Sequence, residues 1–178
     1  ATVSDGTLSA TQGFTISVTN DASDDVVSVS FDGVVIRSGY VQSANVCIEA
    51  SSGAVCSGSS STTTSNSDGS FNLTQDFTGA LASNEGFDVI TNQSNSTANV
   101  MYLSNPSNNG MNVISPLGTL LHRNTNIDSS TLKTKLNINS NFNILSSDPF
   151  ADLSNATNSK VATINTQLVI LSLIHISE

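Results

Sequence analysis

Three observations predict a mainly β fold, an antiparallel sandwich followed by a C-terminal helical segment. Apolar residues alternate with polar ones over short runs in the first 115 residues, the period of a half-buried strand. Gly-, Asp-, Asn- and Ser-rich breaks separate these runs at short spacing, as in all-β sandwiches. Near residue 115 the apolar spacing changes to three and four, and the charge balance changes with it.

Taken in order, Phe14, Ile16 and Val18 alternate with Thr15, Ser17 and Thr19, one apolar edge of a strand. NDASDD at 20–25 interrupts the pattern, which returns with Val27, Val29 and Phe31. An Asp32-Gly33 turn is expected to lead into Val34-Val35-Ile36. Tyr40–Ile48 reads as the next strand. An Asp68-Gly69 turn introduces Phe71 and Leu73, and Phe87–Ile90 and Val100–Leu103 read as two more. The sandwich is assigned residues 1–115 and the helical segment 116–178.

In the second unit, Ser115-Pro116 has the residues of an N-cap followed by proline in the first turn, ahead of Leu117, Leu120 and Leu121. Ser130 is the expected cap of a second short helix with Leu132 and Leu136, and Asp148-Pro149 repeats the cap-and-proline pair. Val161, Ile164, Leu168 and Leu171 share one helical face. The run 168–174 is apolar almost all round and is expected to be buried in the core, or else at an interface between chains.

Composition restricts function more than it assigns it. Charged residues are 11% of 178, against roughly 25% in an average globular chain. Their place is taken by 32 Ser, 19 Thr and 21 Asn. A surface solvated by hydroxyls and amides is common in extracellular fibres and surface layers. The net charge is −9, with ten acidic side chains and one basic, Arg37, in residues 1–115. A nucleic-acid partner needs clustered Lys and Arg and is excluded. The longest apolar run, Leu168–Ile174, is far short of the roughly 18 residues of a membrane span. A chain opening at Ala1 is expected to be a mature form after removal of a signal peptide. Asn-X-Ser/Thr sequons at Asn72, Asn92, Asn95 and Asn155 are candidate glycosylation sites in an exported chain.

Chemistry-bearing residues are sparse. Cys47 and Cys56 flank a small-residue loop, and a disulfide between them is the first expectation for an exported chain, two buried thiols being the alternative. Zinc would need three or four ligands, and His122 and His175 stand apart. Asp21, Asp24 and Asp25, with Asp5 or Asp32, form the densest oxygen cluster and a weak calcium candidate, against a solvated acidic loop. No other cofactor is expected. There is no Gly-x-Ser-x-Gly elbow and no Trp for a sugar platform, so the chain is not read as an enzyme.

The stretch from Gly39 to Leu73 carries Gly39-Tyr40, Ala44-Asn45-Val46-Cys47, Gly53, Cys56, Thr62-Thr63-Thr64 and Asp68-Gly69-Ser70-Phe71. This series resembles a recurrent module of large bacterial surface proteins and adhesins. Ile114–Leu121 resembles the Pro-Leu-Thr-Thr-Leu helix that follows such modules, and Asp148-Pro149-Phe150 their later Asp-Pro segment. TLSATQGFTISVTN near the N-terminus is similar to the last strand of a cadherin-like or immunoglobulin-like repeat. The resemblance implies a fold like the carboxypeptidase regulatory-like and collagen-adhesin B-type domains, that is, an Ig-like or prealbumin-like sandwich. Two departures stand out: no acid lies between Glu49 and Asp68, where the family loop is acidic, and Lys133, Lys135 and Lys160 all lie in the helical part, away from any isopeptide position.

The expectation is an extracellular, cell-surface structural protein, a subunit or module of a bacterial or archaeal surface filament or fibre. It would assemble with copies of itself or neighbouring domains by β-strand addition, with Phe14, Ile16 and Val18 on the candidate donor strand, the alternative being that this strand pairs within its own domain. The alternative is an adhesin or ligand-binding module that recognises a glycan or host protein.

Overall fold

The structure, a computed structural model, describes residues 2–4, 9–11, 28–49, 56, 62–75, 79–96 and 99–176. The expected strand of Phe14, Ile16 and Val18 and the acidic cluster of Asp21, Asp24 and Asp25 lie outside the described residues. β1 (Thr2–Ser4) and β2 (Ser9–Thr11) form an antiparallel hairpin with Val3 opposite Ala10.

β3 (Val29–Val35) is the centre of the first sheet. The expected Asp32-Gly33 turn does not form, and the strand runs straight through it. Gly33 is there for close approach: a Cβ at this position would lie 2.2 Å from the Asn112 carbonyl oxygen and 2.7 Å from Phe71 Cζ. The chain does turn within the expected Tyr40–Ile48 strand. β4 (Val41–Gln42) ends at Ser43, which takes a positive φ of 56°, and β5 (Asn45–Ile48) then joins a different sheet.

β6 (Thr62–Thr64) follows, and the Asp68-Gly69 turn forms as expected, with Gly69 at φ 72°. Asp68 Oδ1 accepts the Ser70 N–H at 3.0 Å, which fixes the entry into β7 (Ser70–Gln75). Then come β8 (Leu81–Asn84), β9 (Phe87–Asp88), β10 (Gln93–Ser94), β11 (Met101–Leu103) and β12 (Asn112–Ile114).

The first sheet has the order β12-β3-β7, the second β11-β8-β5-β6, and a small third one β10-β9-β4. The pairing is antiparallel with one exception: β12 runs parallel to β3, with Val113 opposite Val34. The chain reaches β12 from β11, in the second sheet, so the pair is not a hairpin and its direction is not fixed by a tight turn.

Alternation sorts the side chains. Phe31, Val35, Phe71, Leu73 and Ile114 of the first sheet share one core with Val46, Ile48, Leu81, Met101 and Leu103 of the second. On the other face of the first sheet, Val34, Ile36 and Val113 lie beneath Tyr40 and Phe150. Tyr40 also donates its hydroxyl to Asp148 Oδ2 at 2.7 Å, so Gly39-Tyr40 and Asp148-Pro149-Phe150, distant in sequence, meet in space.

Helix α1 (Pro116–Arg123) begins as expected, Ser115 Oγ accepting the Gly118 N–H at 3.0 Å. The other two caps differ from expectation. α2 (Ser129–Lys135) is capped by Asp128, whose carboxylate accepts the Thr131 N–H at 2.6 Å; Ser130 is already inside the helix. Asp148 makes a turn, accepting the Phe150 N–H at 2.8 Å, and no helix follows it directly. α3 (Ala156–Ile176) starts seven residues after Pro149, where Asn155 accepts the Thr157 and Asn158 N–H groups at 2.9 and 3.2 Å.

α3 packs on α1, where Asn165 Oδ1 accepts the otherwise orphaned first-turn N–H of Leu117 at 3.1 Å. Val161 and Ile164 enter a second core with Leu117, Leu132, Phe142 and Ile144, and Leu168 is half-buried at its margin. Ile170 and Leu171 are 51% and 53% exposed, so the expectation that the run 168–174 is buried in the core does not hold for these two residues. Among the described residues, no helix is long and apolar enough to cross a membrane.

Candidate functional site

Cys47 and Cys56 are joined in a disulfide, with Cα atoms 5.4 Å apart, and the alternative of two thiols is excluded. Cys47 is fully buried on β5 and packs with Ala82 and Tyr102. The bond holds Cys56 against the face of the second sheet that carries Cys47, Ala82 and Tyr102. Among the described residues no three His, Cys, Asp or Glu side chains cluster as a metal site.

The first two sheets have four lateral edges, β12, β7, β11 and β6, and these are treated unequally. The edge of β11 is closed by α1: the Tyr102 N–H donates to Thr119 Oγ1 at 2.9 Å. The edge of β12 is closed by the loop before Ser146, the Val113 N–H donating to the Leu145 carbonyl at 2.9 Å. β6 and β7 each have one strand partner, β5 and β3, and no strand on the other side among the described residues. β7 is the longer, with Phe71 and Leu73 buried and Asn72 and Thr74 exposed. A strand in this condition is a template for pairing with another chain.

A polar cluster holds α1 to the second sheet. His122 Nδ1 lies 2.8 Å from Ser104 Oγ and its Nε2 3.3 Å from Glu49 Oε2. The imidazole stacks on Tyr102 with centroids 4.6 Å apart and planes 9° from parallel. Arg123 lies over the same tyrosine, its Cζ 4.6 Å from the ring centroid.

The candidate glycosylation positions divide. Asn72 is exposed on β7 and donates to Ser30 Oγ and Asp32 Oδ1 at 2.9 and 2.6 Å. Asn92 is exposed in the turn after β9, and Asn155 is exposed as the cap of α3. Asn95 is a correction: it is 7% exposed, accepts from Arg37 Nη1 at 2.9 Å and donates to the Asn99 carbonyl at 3.1 Å. An amide used in this way has no room for a glycan in the folded chain.

Patterning gives no notice of a pocket of about 360 Å³ between β11, α1 and α3, lined by both Arg37 and Arg123. The one local signal is the place of Arg37 directly after the apolar run Val34-Val35-Ile36. Burial pushes the Arg37 guanidinium below its ordinary pKa, partly offset by the field of Asp88.

No family model matches the chain, and neither the curated proteins nor the solved structures compared with it contain a match.

Proposed function

We propose that this chain is an extracellular structural protein, a subunit or module of a cell-surface filament or fibre that assembles by β-strand addition. The observation that carries the reading is the unequal closure of the edges. β11 and β12 are capped by the helical segment, whereas β6 and β7 have one strand partner each among the described residues. Added main-chain hydrogen bonds along β7 would supply affinity, and apolar side chains entering alternate pockets would supply register. The donor in this reading is the segment of Phe14, Ile16 and Val18. The disulfide, the hydroxyl- and amide-rich surface and the resemblance to surface-protein modules with an Ig-like or prealbumin-like sandwich support an extracellular location.

Size-exclusion chromatography and negative-stain microscopy of the purified chain test the proposal. Polymers are expected from the full chain, and monomers from one lacking residues 1–19 or carrying Thr74→Lys on the edge strand. A full chain that stays monomeric at high concentration sinks the strand-addition mechanism.

A further inference from the structure

Arg37 is the one basic side chain in residues 1–115 and is only 8% exposed. A guanidinium that deep ordinarily sits against a carboxylate. Here it donates to a neutral partner, the Asn95 amide oxygen at 2.9 Å. Asp88, whose charge acts on it, is committed elsewhere. Its Oδ2 accepts the Ser38 and Gly39 N–H groups at 2.9 and 3.2 Å, and its Oδ1 those of Ile90 and Thr91, both at 3.0 Å. Among the described residues, the one ion-pair contact within 4.0 Å is His122 with Glu49, so no described carboxylate lies within that distance of Arg37 or Arg123.

Both arginines line the same pocket of about 360 Å³, and Val100, Met101, Leu120 and Leu168 form its apolar walls. The size falls within the range of small-molecule sites, which join apolar walls to a few fixed polar groups. Two guanidiniums with no described carboxylate within 4.0 Å, in a chain of net charge −9, select strongly for the sign of a ligand. The walls select for its body.

We propose that this pocket binds a small organic carboxylate with an apolar body, the carboxylate held by Arg37 and Arg123 and the hydrocarbon lying against Leu120 and Leu168. The site is separate from the β6 and β7 edges and stands or falls independently of strand addition. Arg37 is the fixed donor, since its environment leaves it little freedom. Arg123 is exposed and held over Tyr102, so it closes on the carboxylate from the solvent side.

Isothermal titration calorimetry with sodium octanoate tests this on the full chain, with 1-octanol and acetate as matched probes lacking charge or tail. Saturable one-to-one binding of octanoate is expected, at least about tenfold tighter than either control. Arg37→Gln and Arg123→Gln should each weaken it by about tenfold or more while leaving octanol binding unchanged. Equal affinity for octanoate and octanol overturns the proposal, as does no saturation with octanoate or an unaltered affinity in Arg123→Gln. If Arg37→Gln fails to fold by circular dichroism, the exposed Arg123→Gln variant and the octanol comparison still decide.

Discussion

The Tyr102 N–H donates to Thr119 Oγ1 at 2.9 Å, so a helix side chain takes the position that a neighbouring strand would occupy on β11. Tyr102 is 4% exposed, and without this acceptor its amide has no ready access to water. Thr119→Val keeps the shape and removes the acceptor. It is expected to destabilise the chain by about 1–3 kcal/mol, the cost of an unsatisfied buried donor. Urea unfolding measures this, and a variant as stable as the parent would show that the contact is dispensable.

Gly33 sits where β12 and β7 both press on β3. Gly33→Ala would place a Cβ 2.2 Å from a backbone oxygen, which cannot move without shifting β12. The expected loss is about 3 kcal/mol or more, or failure to fold. Gly110→Ala is the control, since the nearest atom to its added Cβ is Ser107 Oγ at 3.6 Å. Thermal melting of the pair should separate them clearly.

The disulfide closes a short loop, of sequence separation 9. Its removal by Cys47→Ala with Cys56→Ala should cost about 2–3 kcal/mol on chain-entropy grounds. The unfolding free energy from urea titration should fall by the same amount in the parent once it is reduced. A parent indifferent to reductant would mean that the bond adds no stability.

Stability should also fall in acid. The Asp128 carboxyl is held below its usual pKa by the backbone hydrogen bond from Thr131, and those of Asp68 and Asp152 chiefly by hydroxyl hydrogen bonds from Ser70 and Ser154. A lowered folded pKa gives stability that is present above the unfolded value of about 3.9 and lost as pH falls through the folded one. Unfolding midpoints should therefore decline below about pH 4, and more gently in Asp128→Asn, which keeps the cap without the titration. An identical acid slope in the variant would exclude Asp128 from the effect.

Much of the architecture was legible because it depends on local chemistry. Period-2 alternation marked the strands around Phe31 and Phe71, Asp68-Gly69 marked a true turn, and Ser115-Pro116 a true helix start. Asp32-Gly33 carries the same dipeptide as Asp68-Gly69, but it lies in mid-strand because the neighbours of Gly33, Asn112 and Phe71, need the space of a missing Cβ. No local pattern distinguishes those two uses of glycine.

The sequence by itself determined the mainly β character, the change to helix near 115 and the two cysteines close enough to join. Tertiary structure alone decided that β12 runs parallel to β3, that Asn95 is buried, and that Val161 is buried while Leu171 is left exposed. It also brought together Arg37 and Arg123, 86 positions apart, around one pocket. Alternation and caps are short-range effects of backbone geometry, readable over a few residues. Edge closure, burial and the pairing of charges depend on which distant segments meet, and that is settled only when the sheets pack.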